Sequence, residues 1–95
     1  MYTLNSRADV VTERPGRWAK QLVSHLSNKV SHEKTERGDE LAIGDGLGVV
    51  IVESGSIVLE AHADSAEDLA RVEDVLGRHL ERFAEKDGLK VTWSR

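Results

Sequence analysis

The last third of the chain constrains the fold most, because it predicts a long amphipathic helix that leads directly into a strand. Apolar residues recur at three- and four-residue steps from position 65 to about position 87, the spacing that places side chains on one face of an α-helix. Asp64 and Ser65 are each followed three residues later by an acidic residue, a pattern that resembles a capping box. Gly88 is the expected helix terminator, and Leu89–Trp93 alternates apolar and polar residues as a strand does.

The remainder predicts one further helix, Pro15–Asn28, in which Trp18, Leu22 and Leu26 recur every four residues. The other predicted strands are Ser6–Val11, Val30–Glu36, Glu40–Ile43, Val49–Val52 and Ile57–Ala61. The order β-α-β-β-β-β-α-β predicts an α+β fold, with an antiparallel or mixed sheet of five to six strands and both helices on one face. Residues 1–95 are predicted to form a single domain.

The strand pattern also predicts a surface for assembly. The side chains expected to face the helices are Ile51, Leu59, Val91 and Trp93. Alternation then places three valines on the other side of the sheet: Val50, Val52 and Val58. A symmetric homodimer through this valine patch is the simplest way to cover it; the alternative is three scattered valines on an exposed sheet, which is common in proteins.

Composition excludes several classes of protein. The chain has no cysteine, hence no disulfide framework and no thiolate metal site, which favours a cytoplasmic location. No stretch approaches the roughly 18 apolar residues of a membrane span, and the first residues do not resemble a signal peptide. The formal net charge is -4, and residues 1–37 carry seven basic side chains against four acidic ones. A nucleic-acid partner is therefore not predicted.

The candidate ligand-binding residues lie on the two helices. His25 and His79 each flank an apolar stripe, so two imidazoles are expected to meet in the groove between the helices, with Arg82 nearby in sequence. Arg17, near the start of the first helix, is a candidate for binding one phosphate or carboxylate. The alternatives are boundary histidines that bond to the backbone, and a solvated helix end. His32 and His62 are weaker candidates than His25 and His79.

No cofactor or metal site is predicted. The segment Gly44–Gly48 lacks the spacing of a phosphate-binding loop and is followed by a strand. The chain has no His-Glu-x-x-His pattern and no cluster of three ligands at metal spacing. Adjacent carboxylates on the second helix point in different directions and cannot share a substrate.

Residues 14–29 and 66–83, together with Leu89–Trp93, resemble the two signatures and the C-terminal segment of the bacterial domain of unknown function 2218 family. The resemblance covers essentially the whole chain and implies a small α+β domain. It also implies an association with siderophore-interacting or iron-uptake proteins, beside which some members occur, and some members carry an aldolase label. Many relatives have a second histidine where this chain has Asn28. If that histidine is a metal ligand, this chain lacks it, so no metal role is expected here.

Three hypotheses about function follow. The first is a small accessory or binding domain without catalytic activity, linked to iron or siderophore use by the family resemblance. The second is an enzyme with its site between the helices, although neither a desolvated Schiff-base lysine nor a set of enolate-binding metal ligands is visible. The third is a structural dimerisation module.

Overall fold

The computed structural model describes residues 2–95. Its elements, in chain order, are β1 (Leu4–Val11), α1 (Pro15–Leu26), β2 (His32–Lys34), β3 (Asp39–Ile43), β4 (Gly46–Glu53), β5 (Ser56–Ala63) and α2 (Ala66–Phe83), followed by a 3₁₀ turn, Glu85–Asp87. The strands form one sheet in the order β1-β5-β4-β3-β2, and every neighbouring pair is antiparallel. The α+β prediction is confirmed, with five strands.

Both helices pack on the same face of the sheet, as predicted, because their apolar stripes and one face of the strands share a single core. Fully burying a leucine side chain stabilises the fold by about 2 kcal/mol relative to leaving it exposed. The most buried members of the core include Leu22 from α1, Leu41 from β3, Leu59 from β5, and Leu69, Leu76 and Leu80 from α2. We call the side of the sheet that faces away from the helices the open face.

The start of α2 is capped by Ser65, one of the two residues that the sequence offers. The Ser65 hydroxyl oxygen accepts a hydrogen bond from the Asp68 amide at 3.1 Å and donates to the Asp68 carboxylate at 3.0 Å. These bonds satisfy an amide that the first helical turn leaves unpaired. Asp64 has a different role, since its carboxylate accepts from the Thr3 amide at 3.0 Å and so ties the start of β1 to the end of β5.

The predicted strand at Leu89–Trp93 is wrong. The α-helix ends at Phe83, the 3₁₀ turn follows, and Gly88 adopts the left-handed conformation (φ 67°) expected of a terminator. Beyond it the chain lies along α2: the Val91 amide donates to the Glu81 carboxylate at 2.9 Å, and Trp93 packs against Gly77. The Val91 amide, which would pair with a neighbouring strand if this segment joined the sheet, is therefore bound to a side chain. Residues 89–95, which we call the C-terminal strap, contact the sheet through one bridge, between Arg7 and Ser94.

Two predicted boundaries were too long. Helix α1 ends at Leu26 because the amides of Lys29 and Val30 both donate to the Leu26 carbonyl, which closes the last turn. The predicted strand Val30–Glu36 shrinks to β2, because Thr35 already belongs to the turn that leads to β3.

The predicted valine patch does not exist as one surface. Val50 lies opposite Leu59 in the β4–β5 ladder, so it points toward the helices and is 1% exposed. Val52 lies on that same side, opposite Ile57, and is 50% exposed. Only Val58 points to the open face, opposite Ile51. Other residues of the same chain already bury it, so it needs no partner molecule to cover it. The predicted orientation of Ile51 is likewise wrong.

The run Val49–Val52 explains this error. Four consecutive β-branched residues contain no polar–apolar alternation, so the pattern does not say which of them point inward. The pairing register decides it, and a shift of one residue exchanges the two faces.

Candidate functional site

Helices α1 and α2 run antiparallel, which brings the predicted histidines together. Near the start of α1 the Trp18 indole N–H donates to the Asp87 carboxylate at 3.0 Å. Two turns further along α1, the imidazole centroids of His25 and His79 lie 5.1 Å apart. The Phe83 ring completes the cluster, 5.3 Å from His25 in an edge-to-face arrangement, a geometry that aromatic rings favour.

One nitrogen of the His79 ring is committed to the backbone. Nδ1 lies 2.6 Å from the carbonyl oxygen of Val75, and because a carbonyl only accepts, Nδ1 carries a proton and donates. In the neutral ring Nε2 is then the free acceptor, oriented by a fixed bond on its other side. The backbone thus fixes both the tautomer and the direction of the His79 ring.

His25 is electrostatically different from an exposed histidine. Partial burial between the helices lowers the pKa of its imidazole below the usual value, and the positive charges of Lys29 and Arg82, together with His79, lower this pKa further. The neutral form of His25 is therefore favoured. Arg82 lies three residues after His79 on α2, so the two side chains are neighbours on the helix surface.

A groove of about 860 Å³ opens beside His79, between the second half of α2 and the start of the C-terminal strap. Its walls are formed by Arg78, His79, Glu81, Arg82, Glu85, Gly88, Leu89 and Lys90. Two of the charged groups are already engaged, because Arg78 pairs with Asp74 at 2.7 Å and Glu81 accepts the Val91 amide. Arg82 and Lys90 have no carboxylate within ion-pair distance among residues 2–95.

Arg17 lies apart from this groove. Its guanidinium carbon is 5.2 Å from the centroid of the Trp18 ring, within the range of a cation–π contact. The structure therefore brings together His25, His79 and Arg82, three of the four predicted ligand-binding residues. Within residues 2–95, no three histidine, cysteine, aspartate or glutamate side chains come close enough to hold a metal ion.

Sequence reasoning missed a second polar cluster, on the open face. Glu60, 7% exposed, contacts the Nε2 of His62 at 3.1 Å and the Arg37 guanidinium. The other His62 nitrogen, Nδ1, lies 2.5 Å from the Asn5 side-chain oxygen. The signal was present, since Glu60 and His62 are two residues apart in a strand and therefore share a face.

Nearly the whole chain matches one protein family. Residues 7–94 match the model of the family described as "Uncharacterized protein conserved in bacteria (DUF2218)". The chain belongs to this family. A solved structure, the NMR structure of PA4090 from Pseudomonas aeruginosa, superposes with a TM-score of 0.78 at 23% sequence identity. The match covers 99% of this chain and 96% of that one, and at this identity it establishes the shared fold.

No curated protein matches this DUF2218 chain. Neither α1 nor α2, nor any other helix in residues 2–95, combines the length and the apolar character that crossing a membrane requires.

Proposed function

We propose that this protein is a small binding domain that holds a carboxylate- or phosphate-bearing molecule in the groove beside His79. The observation that carries the proposal is the pair of cations on Arg82 and Lys90, which line one open groove beside His79 without an ion-pair partner among residues 2–95. The Nε2 of His79 is an acceptor, so in this site it would accept a hydrogen bond from a hydroxyl of the ligand. Guanidinium and ammonium groups bind anionic oxygens through charge-assisted hydrogen bonds, which are about twice as strong as neutral ones.

The antiparallel helices leave the choice of ligand charge to the side chains. The C-terminal end of α2 alone carries a partial negative charge and would oppose an anion. The contact between Trp18 and Asp87 places the N-terminal end of α1, which carries the opposite partial charge, beside it. The two helix dipoles therefore offset each other, and the side chains determine which ligand is favoured.

The family resemblance narrows the ligand. An association with iron uptake favours a hydroxycarboxylate iron chelate over a simple anion, and citrate is the smallest probe of that class. Gallium(III) citrate serves as a diamagnetic substitute for ferric citrate, so binding of free citrate and of the metal chelate can both be followed by NMR.

The test is a titration of the ¹⁵N-labelled protein with citrate, gallium(III) citrate and inorganic phosphate at constant ionic strength. We expect saturable shifts confined to the groove residues 78–90, and a rise in melting temperature that follows mass action. If the chelate is the ligand, gallium(III) citrate binds more tightly than citrate. Shifts spread evenly over the surface, or an unchanged melting temperature, would contradict the proposal.

A matched pair of variants locates the site. Arg82→Gln removes a groove cation and is expected to weaken binding by about tenfold or more, the value of one charge-assisted hydrogen bond. Arg71→Gln removes an exposed arginine from the same helix outside the groove and is expected to leave the affinity unchanged. Equal losses in the two variants would show that net charge, and not the groove, determines binding.

A further inference from the structure

We propose that the open face of the sheet carries a second binding site, specific for a guanidinium or primary ammonium group, which Arg37 of the same chain occupies. The site consists of the Glu60 carboxylate, His62 and Asn5, and it lies on the side of the sheet opposite the groove. The inference is independent of the proposed anion site, because the two share no residue.

The charge of the open face favours a cationic ligand. The ladder registers place five carboxylates on this face: Asp9, Glu33, Glu40, Glu53 and Glu60. Against them stand two guanidinium groups, Arg7 from β1 and Arg37 from the β2–β3 turn. Both are already paired, Arg7 with Asp9 at 2.9 Å and Arg37 with Glu60. Neither guanidinium is therefore free to bind an incoming anion.

Glu60 is a buried carboxylate at the edge of a cavity, a position from which it can bind a cationic group. It borders a cavity of about 300 Å³, together with Asn5, Arg7, Arg37, His62 and Ser94. A carboxylate this buried is retained only when it is paired and hydrogen-bonded. The Nε2 of His62 contacts one Glu60 oxygen, and the Nδ1 of His62 contacts the Asn5 side chain. These two contacts hold the imidazole ring in place. The Tyr2 ring stacks on His62 at 6.4 Å.

Arg37 is the exposed half of this pair. Its side chain is 60% exposed whereas that of Glu60 is 10% exposed, so solvent or a competing cation can reach the guanidinium from outside. Arg37 comes from a short turn, closed by the Thr35 amide donating to the Gly38 carbonyl at 2.8 Å. Gly38 lies so close to the backbone of Val50 that no side chain fits there, which lets the turn approach β4 and Arg37 reach β5.

The occupant defines the chemistry of the site. Glu60 already binds a planar guanidinium, and the adjoining cavity has room for a small group attached to it. A ligand that carries a guanidinium or primary ammonium replaces Arg37 at Glu60 and leaves the contact between His62 and Asn5 intact. Free small molecules and arginine side chains of a peptide share this chemistry, and Arg37 competes with both, which lowers the apparent affinity of the wild-type site.

The experiment removes the occupant and offers a substitute. Methylguanidinium chloride and a blocked Gly-Arg-Gly peptide are titrated separately into ¹⁵N-labelled wild type, Arg37→Ala and the double variant Arg37→Ala/Glu60→Gln, against matched sodium chloride. In Arg37→Ala we expect saturable shifts at residues 5 and 60–62, with an apparent Kd at least about fivefold lower than in wild type. In the double variant these shifts are expected to disappear.

The two probes separate the sources of the ligand. Tighter binding of methylguanidinium indicates a small molecule, and tighter binding of the peptide indicates a partner's arginine. Arg14→Ala, which removes an exposed arginine elsewhere, is the control and should behave as wild type.

Equal affinities in wild type and Arg37→Ala would overturn the proposal, as would shifts that survive Glu60→Gln. Should Arg37→Ala fail to fold, Arg37→Gln takes its place, since it keeps the length of the side chain without the charge. Failure of both probes to bind any folded Arg37 variant would show that the pair between Arg37 and Glu60 is structural.

Discussion

The imidazole rings of His25 and His79 face each other at a centroid distance of 5.1 Å, one at the end of α1 and the other in the second half of α2. The antiparallel packing of the helices creates this pair, and the backbone carbonyl of Val75 fixes the orientation of one member. The other member, His25, has no hydrogen-bond partner among residues 2–95 that would stabilise its charged form. Its protonation is therefore linked to the stability of the helix interface.

We expect the free energy of unfolding to fall as the pH is lowered from about 7 to about 5, in part through His25. Its folded-state pKa is lowered by burial and by neighbouring positive charge, so its contribution is complete above the unfolded pKa of about 6.5. That contribution is lost as the pH falls toward the folded pKa, because the unfolded chain then binds more protons.

Urea unfolding at several pH values measures this effect in wild type and His25→Gln. The decrease between pH 7 and pH 5 should be smaller in His25→Gln. Gln21→Ala, an exposed and non-titratable position on the same helix, is the control and should retain the wild-type slope. Identical slopes for wild type and His25→Gln would contradict the expectation.

A second pH-dependent contact holds the C-terminal strap. The Arg95 guanidinium donates to Glu73 at 2.9 and 3.1 Å, and these bonds hold the pKa of the Glu73 carboxyl below its usual value. Glu73→Gln is expected to lower the melting temperature at pH 7 by about 3 °C. The effect is small because the Arg95 side chain is half exposed and water screens the pair.

The sign for Glu73 is that of a carboxylate with a depressed pKa. Its contribution is complete above the unfolded pKa of about 4.3 and is lost as the pH falls through the lower folded pKa. The gap in melting temperature between wild type and Glu73→Gln should therefore shrink below about pH 4. A gap that is unchanged at pH 3 would mean that the carboxylate charge plays no part.

The orientation of β4 gives a direct mutational test. Val50→Ala removes two methyl groups from the core and should lower the free energy of unfolding by about 2 kcal/mol. Val52→Ala, two residues along the same strand, should change it by less than about 0.5 kcal/mol, because Val52 is half exposed. Chemical denaturation distinguishes the two, and similar losses would contradict the register described for β4 and β5.

The homodimer remains a prediction, now without the continuous valine patch that suggested it. A scattering mass equal to one chain at high micromolar concentration would exclude it. A mass equal to two chains would confirm the dimer, and the charged open face would then be the first surface to test as its interface.

Two glycines differ in the space around them. A Cβ at Gly46 would lie 2.7 Å from a methyl group of Val72 and 2.8 Å from the carbonyl oxygen of His62, and neither the packed helix nor the backbone can move far. Gly46→Ala should therefore cost about 1–3 kcal/mol. Gly16→Ala, in the first turn of α1 with nothing within 4 Å, should be neutral or stabilising by up to about 1 kcal/mol. Thermal unfolding of both variants is the measurement, and equal effects would contradict the packing of α2 on β4.

The fold was predictable where the sequence carries a clear period. The two apolar stripes predicted both helices and their common side of the sheet, and Ser65 and Gly88 marked the ends of the segment that contains α2. The stripes also predicted that His25 and His79 would meet, because each histidine flanks the buried side of its own helix. These features depend on local spacing, which a single sequence records.

Features that depend on tertiary competition could not be predicted. Leu89–Trp93 has the alternation of a strand, yet its backbone donor at Val91 binds Glu81 and its apolar side chains pack on α2. The pair between Arg37 and Glu60 joins a turn to a strand two positions away in the sheet. No local pattern encodes such a contact, because it requires the sheet order and the register together.

The bridge between Arg7 and Ser94 also covers part of an edge strand of the sheet. Strand β1 lies at one border of the sheet, where free backbone groups can recruit strands from other molecules. The C-terminal strap crosses that border and engages both backbone groups of Arg7, while the opposite border is only three residues long and carries Lys34. Loosening the strap, for example by weakening its anchor at Glu73, would thus expose the backbone groups of Arg7 to pairing with a strand of another molecule.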